Sequence, residues 1–147
     1  MEEPVRFWPR RLLIWASVLS ILLVAGCLIG WFALDPELRA RFTVFQIVTL
    51  IVMAGILVGG IMSLGLSTVR ADRDGLTIRN AISTRRLDWS DVGSIEYRLG
   101  DPWAYVVLSG TEDDPVRRQM MAIQTTDGDR AQRAVETLRR MHDRYLW

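Results

Sequence analysis

Polar and apolar positions divide this chain near residue 70. Leu12 to Leu34 is 23 residues without a charge, and Phe42 to Val69 is 28 in which Gln46 is the only strongly polar side chain. About 20 apolar residues suffice to cross the hydrocarbon core of a bilayer as a helix. A backbone in lipid must satisfy its own hydrogen bonds, which makes helix the expected form of both runs. The pattern therefore predicts an N-terminal arm at 1–11, a transmembrane helix at 12–34, an external loop at 35–41, a second transmembrane helix at 42–66 and a polar domain at 67–147.

From Ser67 the period changes from helical to alternating. Val69 and Ala71 alternate with Arg70 and Asp72, and Asp74-Gly75 is a hairpin signal. Leu76 and Ile78 resume the alternation, Asn80 to Thr84 is a second turn, and Arg86 to Trp89 alternates again. Ser90-Asp91 marks a short turn, after which Ile95, Tyr97 and Leu99 share one expected face. Gly100-Asp101-Pro102 breaks the chain before the apolar run Trp103–Ser109. Val116 to Gln124 reads as the sixth strand, with Met121 and Ile123 expected inward. Asp127 is the expected cap of a final helix, in which Ala131, Val135, Leu138, Met141 and Tyr145 form an apolar stripe. Arg139, Arg140 and Arg144 lie off it, near the helix C-terminus that favours cations.

Charge sets the orientation. Arg6, Arg10 and Arg11 precede the first apolar run, and Arg70, Arg73, Arg79, Arg85 and Arg86 follow the second; only Arg39 and Arg41 lie between. Basic residues collect on the cytoplasmic side, so both termini are expected in the cytoplasm and the protein in the plasma membrane as a multi-pass chain. Phe7, Trp8 and Trp15 would sit at the inner interface, and Trp31, Phe32, Phe42 and Phe45 at the outer one. Val24-Ala25-Gly26-Cys27 has the look of a lipoprotein signal, but Leu28 to Leu34 stays apolar and extends the run to full membrane length, as in an uncleaved helix. Gly26 and Gly30 in the first helix, and Gly55, Gly59 and Ser63 in the second, are spaced for close helix packing. In an antiparallel hairpin the two sets differ in depth by roughly 6 Å. Either the helices are offset or one stripe faces a second molecule.

From Arg70 onward the chain carries 13 arginines and 13 acidic residues. A neutral domain of this kind is not built as a nucleic-acid binder. Cys27 is the only cysteine and excludes an intramolecular disulfide; His142 has no partner at metal spacing and is expected on the helix surface. No nucleophile elbow, glycine-rich phosphate loop or paired metal ligand occurs, so no catalytic residue, cofactor or metal is expected. Glu112, Asp113 and Asp114 lack ordered ligand spacing and read as a solvated loop.

Arg85-Arg86 and Arg117-Arg118 are the best binding candidates. Each pair lies on or beside a strand, and in a small barrel the pairs could converge. The planar guanidinium suits phosphate and carboxylate. Successive strand residues face opposite sides, so one arginine of each pair is expected at any one site. Trp89 and Trp103 fall in apolar alternations and read as core, although Trp103, at a strand start, is also placed to line an exposed groove.

Six short strands followed by one amphipathic helix describe a bent antiparallel sheet closed by a helix. Arg86-Leu87-Asp88-Trp89-Ser90-Asp91-Val92-Gly93-Ser94-Ile95 resembles the strand-turn-strand pattern of bacterial PH-like domains. Met121-Ala122-Ile123-Gln124, with Arg130-Ala131 and Ala134-Val135 in the helix behind it, resembles the small membrane-anchored PH-domain proteins of actinobacteria, the family of a low-molecular-weight protein antigen. The expected fold is a membrane α-helical hairpin plus a mainly-β PH-like domain, a partly open barrel of about six to seven strands with a C-terminal capping helix. The expected role is a non-enzymatic interaction or scaffold module at the cytoplasmic face, bound to the lipid bilayer and to a protein partner or a second copy. The alternative is anionic lipid headgroup sensing through the surface arginines. A PH-like fold alone implies neither.

Overall fold

In the computed structural model, which describes residues 4–110 and 115–146, the two apolar runs are helices and the polar domain is a seven-stranded sandwich. Helix α1 spans Arg10–Ala33, a short α2 spans Pro36–Ala40 within the connection, and α3 spans Val44–Gly65. Thr43 starts α3 with a capping box: its Oγ1 accepts from the Gln46 N–H, and the Gln46 side chain accepts from the Thr43 N–H. Gln46, the one strongly polar side chain in the second run, is thus spent at the helix end. Trp31 and Phe42 meet edge to face across the connection, 5.5 Å apart. Both long helices are long and apolar enough to cross a membrane, and their side chains are largely exposed.

The helices run antiparallel, because the C-terminal end of α3 meets the N-terminal end of α1. A Cβ placed on Gly65 would lie 3.0–3.2 Å from Leu13 and 3.6 Å from Ala16. Gly65 is therefore where the backbones approach. The spaced small residues do not form the contact between the two helices of this chain. A Cβ on Gly26, Gly30, Gly55 or Gly59 would meet nothing within 4 Å, and the Ser63 hydroxyl donates to Gly60 O of its own helix. Gly26, Gly30, Gly55 and Gly59 are exposed, on faces that a second molecule could meet.

The sandwich begins before the hairpin. Val5–Phe7 forms strand β1, which pairs antiparallel with β2 (Thr68–Ala71) through Val5↔Ala71 and Phe7↔Val69. Strands β3 (Gly75–Asn80) and β4 (Ser83–Asp88) complete a sheet ordered β1-β2-β3-β4. Strands β5 (Val92–Glu96), β6 (Trp103–Leu108) and β7 (Arg117–Gln124) form the second sheet in that order. Helix α4 (Asp129–Tyr145) closes the end. The expected arm at 1–11 thus supplies an edge strand, and the whole hairpin is an insertion between two neighbouring strands of one sheet. Phe7 packs against the core, and Pro9 and Ser67 are fully buried at the junction.

Six of the seven strands lie where the alternation predicts, with local corrections. Met120 and Ala122 are buried and Met121 is only partly so, because the register of β7 is set by Met120 opposite Ala104, followed by a shift between Ala104 and Trp103. Strand β5 ends at Glu96, which leaves Leu99 fully exposed in the loop instead of on the inner face. Helix α4 has Gly128 at its cap position with no side-chain cap, while Asp127 belongs to the preceding 3-10 turn. At the β2–β3 turn the Asp72 carboxylate accepts from the Asp74 and Gly75 N–H groups. Gly75 itself is required by close approach, since a Cβ there would stand 2.1 Å from Leu87 O.

Ala131, Ala134, Val135 and Leu138 of α4 are buried against the sheets, with Met141 and Tyr145 packed at the margin. Trp89 is buried as expected and donates its indole N–H to Asp72 O at 2.9 Å. His142 is not a surface residue: its side chain is 12 % exposed, and its Nε2 lies 2.7 Å from Val92 O. That contact needs Nε2–H, so the ring ties α4 to β5 as a donor. Arg139, off the apolar stripe, also crosses to β5 and donates from Nε to Ile95 O at 3.0 Å.

Candidate functional site

Packing of one sheet across the other brings three of the four candidate arginines, Arg85, Arg117 and Arg118, to one groove, and register sets Arg85 and Arg118 on the inner faces. Arg85 lies opposite Ile78, and Arg118 opposite Val106; both partners are buried, so both arginines occupy inner-face positions of their strands. At this end the inner faces run past the core and open to solvent. The result is a groove of about 240 Å3 between β4 and β7, walled by Arg85, Leu87, Arg118 and Gln119, with Asn80 and Ser83 at the β3–β4 end.

Asn80 holds the two sheets at a fixed separation there. Its Nδ2 donates to Gln119 O at 2.7 Å, and its Oδ1 accepts from the Met121 N–H at 3.1 Å. The amide thus engages β7 as a neighbouring strand would, using both its donor and its acceptor. Asn80→Asp would set a carboxylate oxygen against the Gln119 carbonyl. A loss of about 1–3 kcal/mol in unfolding free energy is expected, checked by denaturant unfolding of the full chain. Asn80→Asp with wild-type stability would show that this bridge does not hold the sheets.

Of the other candidates, Arg86 and Trp103 lie away from the groove, and Arg117 is engaged by other groups at its wall. Arg86 alternates to the opposite face, where it lies 3.6 Å from the Asp74 carboxylate. Both side chains of that pair are largely exposed, so it contributes little. Arg117 contributes to the groove wall, but its guanidinium stands 2.9 Å from the Glu96 carboxylate and 4.3 Å over the Tyr105 ring. Trp103 is not at the groove; it pairs with Gln124 at the other end of β6, half-buried, with no partner for its buried Nε1 among the described residues. Glu112, Asp113 and Asp114 lie outside the described residues. Arg85 and Arg118 have no carboxylate within 4 Å among the described residues, whereas Arg70, Arg86, Arg98 and Arg117 each do. No group of three or more His, Cys, Asp or Glu converges among those residues.

Asn80 and Ser83 had no signal in sequence beyond membership of a turn. Their role depends on which strand lies across from that turn, and alternation does not encode it.

Two antiparallel sheets of four and three strands, packed face to face and closed by one C-terminal helix, form a PH-like domain. The family described as Bacterial PH domain matches residues 67–141, just over half of the 147-residue chain, and the chain belongs to that family. Similar relatives include Uncharacterized protein Rv1417 of Mycobacterium tuberculosis and Uncharacterized protein Mb1452 of Mycobacterium bovis. Each is 34% identical over 90 residues, which cover 61% of this chain and 56% of the relative. The chain thus spans little more than half the length of the relatives it matches. No solved structure matches it significantly. The matched 67–141 segment begins after the hairpin and so omits strand β1.

Proposed function

We propose that this chain is a non-enzymatic, membrane-anchored interaction module. Its hairpin spans the plasma membrane with both termini in the cytoplasm, and its PH domain holds an acidic segment of a protein partner, or of a second copy, in the groove between β4 and β7. One observation carries the reading: Arg85 and Arg118 converge on that groove without a carboxylate among the described residues. Guanidinium groups that face a shared cleft also lined by Ser83, with no carboxylate within 4 Å among the described residues, suit a carboxylate or phosphate by charge-assisted hydrogen bonding. The outward glycine faces of α1 and α3 leave room for a neighbouring helix. A second reading, an anionic lipid headgroup in the groove, is favoured by its position: the β3–β4 turn at its mouth is hydrogen-bonded to Ser67, two residues beyond α3.

A photoreactive residue in place of Ser83, used in native membranes, tests both. A discrete protein adduct, reduced about tenfold by Arg85→Glu with Arg118→Glu, is the expected result. Lipid adducts alone, sensitive to the same substitutions, would replace the first reading with the second. Adducts unaffected by the charge reversals would remove the groove from binding. Both arginines are exposed, so the reversals should leave the melting temperature in detergent within a few degrees of wild type.

A further inference from the structure

We propose that the β3–β4 turn is a membrane wedge, with Ile82 entering the boundary between headgroups and acyl chains of the bilayer that α3 crosses. The inference rests on the reading that α1 and α3 span a membrane.

Placement comes first. Ala81 N–H donates to Ser67 Oγ at 3.2 Å, and that hydroxyl donates to Leu64 O at 3.0 Å, inside the last turn of α3. The turn is therefore held within about one helical pitch, roughly 5 Å, of the end of the apolar helix. Ser67 is fully buried, which makes this a fixed joint.

Chemistry follows. Ile82 is 94 % exposed at the tip, and Leu66, half-exposed, lies beside the joint. Two-residue hairpin turns are ordinarily built from Asn, Asp and Gly. This one is Ala-Ile, and Ala81 holds φ 51, the only positive φ of a non-glycine among the described residues. The opposite end of the same strand makes the contrast. The β2–β3 turn is Asp72-Arg73-Asp74, wholly polar and closed by its own carboxylate. Six residues of β3 separate the two turns, about 20 Å. One end of the strand is thus built for water and the other, next to the helix, is apolar at its tip. Arg79 and Arg85 flank that tip; basic residues around a protruding apolar side chain are the composition of an interfacial anchor, with the stems in the apolar layer and the charges among phosphates.

The wedge also has a consequence for the groove. Asn80 and Ser83 belong to the same turn, so insertion of Ile82 sets the mouth of the groove at headgroup level.

Depth-resolved fluorescence of the full chain in phosphatidylcholine–phosphatidylglycerol vesicles tests this. A bimane label is placed on native Cys27, or on Ile82→Cys or Arg73→Cys in a Cys27→Ser background, and quenched by lipids brominated either near the glycerol end or at the far end of the acyl chain, the former reporting on the wedge. At least twofold quenching of the Ile82→Cys label, with the Arg73→Cys label unquenched, is the expected result. If the Ile82→Cys and Arg73→Cys labels are alike while the Cys27 label is quenched by bromine at the chain ends, the wedge is wrong and the hairpin reading stands. If the Cys27 label is unquenched at every depth, the hairpin is not in the bilayer and both readings fall. An unchanged melting temperature of Ile82→Cys in detergent shows that the labelled domain is folded.

Discussion

Leu138→Ala should unfold the PH domain while leaving α1 and α3 helical. Leu138 is 0 % exposed at the centre of the α4 stripe, with Ala131, Ala134 and Val135 on the same buried face. Truncating a buried leucine costs about 2–5 kcal/mol through lost burial and the cavity left behind. A domain of this size has roughly 5 kcal/mol to lose. Tryptic cleavage within 67–147 should therefore accelerate more than tenfold in detergent-solubilised full chain, with loss of the near-UV signal of buried Trp89. Arg139→Ala should have a smaller effect of about 1 kcal/mol, because its Nε bond to Ile95 O ties α4 to β5. Arg133→Ala, exposed on the far side of α4, should be nearly silent and serves as reference. A Leu138→Ala chain that keeps its protease resistance but loses a partner would make α4 a docking helix and not a wall of the core.

A chain that begins at Ser67 should fail to give a stable, soluble domain, although the family match begins there. Cutting at that point removes β1, strips Val69 and Ala71 of their β1 neighbours Phe7 and Val5 and exposes β2 as a bare edge. It also removes Phe7 from the core margin, worth about 1.5–3 kcal/mol for a fully buried aromatic and less here. Bare edges of this kind pair with other chains. Replacing residues 9–66 of the full chain by a short flexible turn keeps β1 beside β2 and should rescue solubility, with a cooperative melt at least about 2 kcal/mol more stable than 67–147 alone. Equal stability of the two proteins by denaturant titration would show that β1 is decoration. The same logic makes the PH domain and the hairpin one mechanical unit. Arg11 adds to it by donating from its guanidinium to Thr126 O at 2.7 Å, so α1 grips the segment before α4 while Ser67 grips the β3–β4 turn.

Much of this architecture is visible in the residues because hydrophobic period is a local property. The two uncharged runs define α1 and α3 by length alone, and α4 follows from apolar residues at three- and four-residue spacing. Alternation marks β2 to β7, and the turn residues Asp72 to Gly75 carry their own closing chemistry. The failures share one cause. Strand β1 is three residues long, too short for any period, and it exists because β2 offers an edge after an excursion of some sixty residues. Extending an alternation past a strand end puts Leu99 on one face with Ile95, and extending it through a shift of register puts Met121 inward; the structure does neither. The arginine pairs show the same division. Alternation alone says that one member of each pair can face a site. Only the packing of one sheet across the other selects Arg85 and Arg118, sends Arg117 to Glu96 and Tyr105, and makes Asn80 the bridge between them. Elements were legible because each is written in neighbouring residues. The groove, the edge strand and the joint to the helices were decided in three dimensions, because each depends on segments brought together only when apolar faces bury one another.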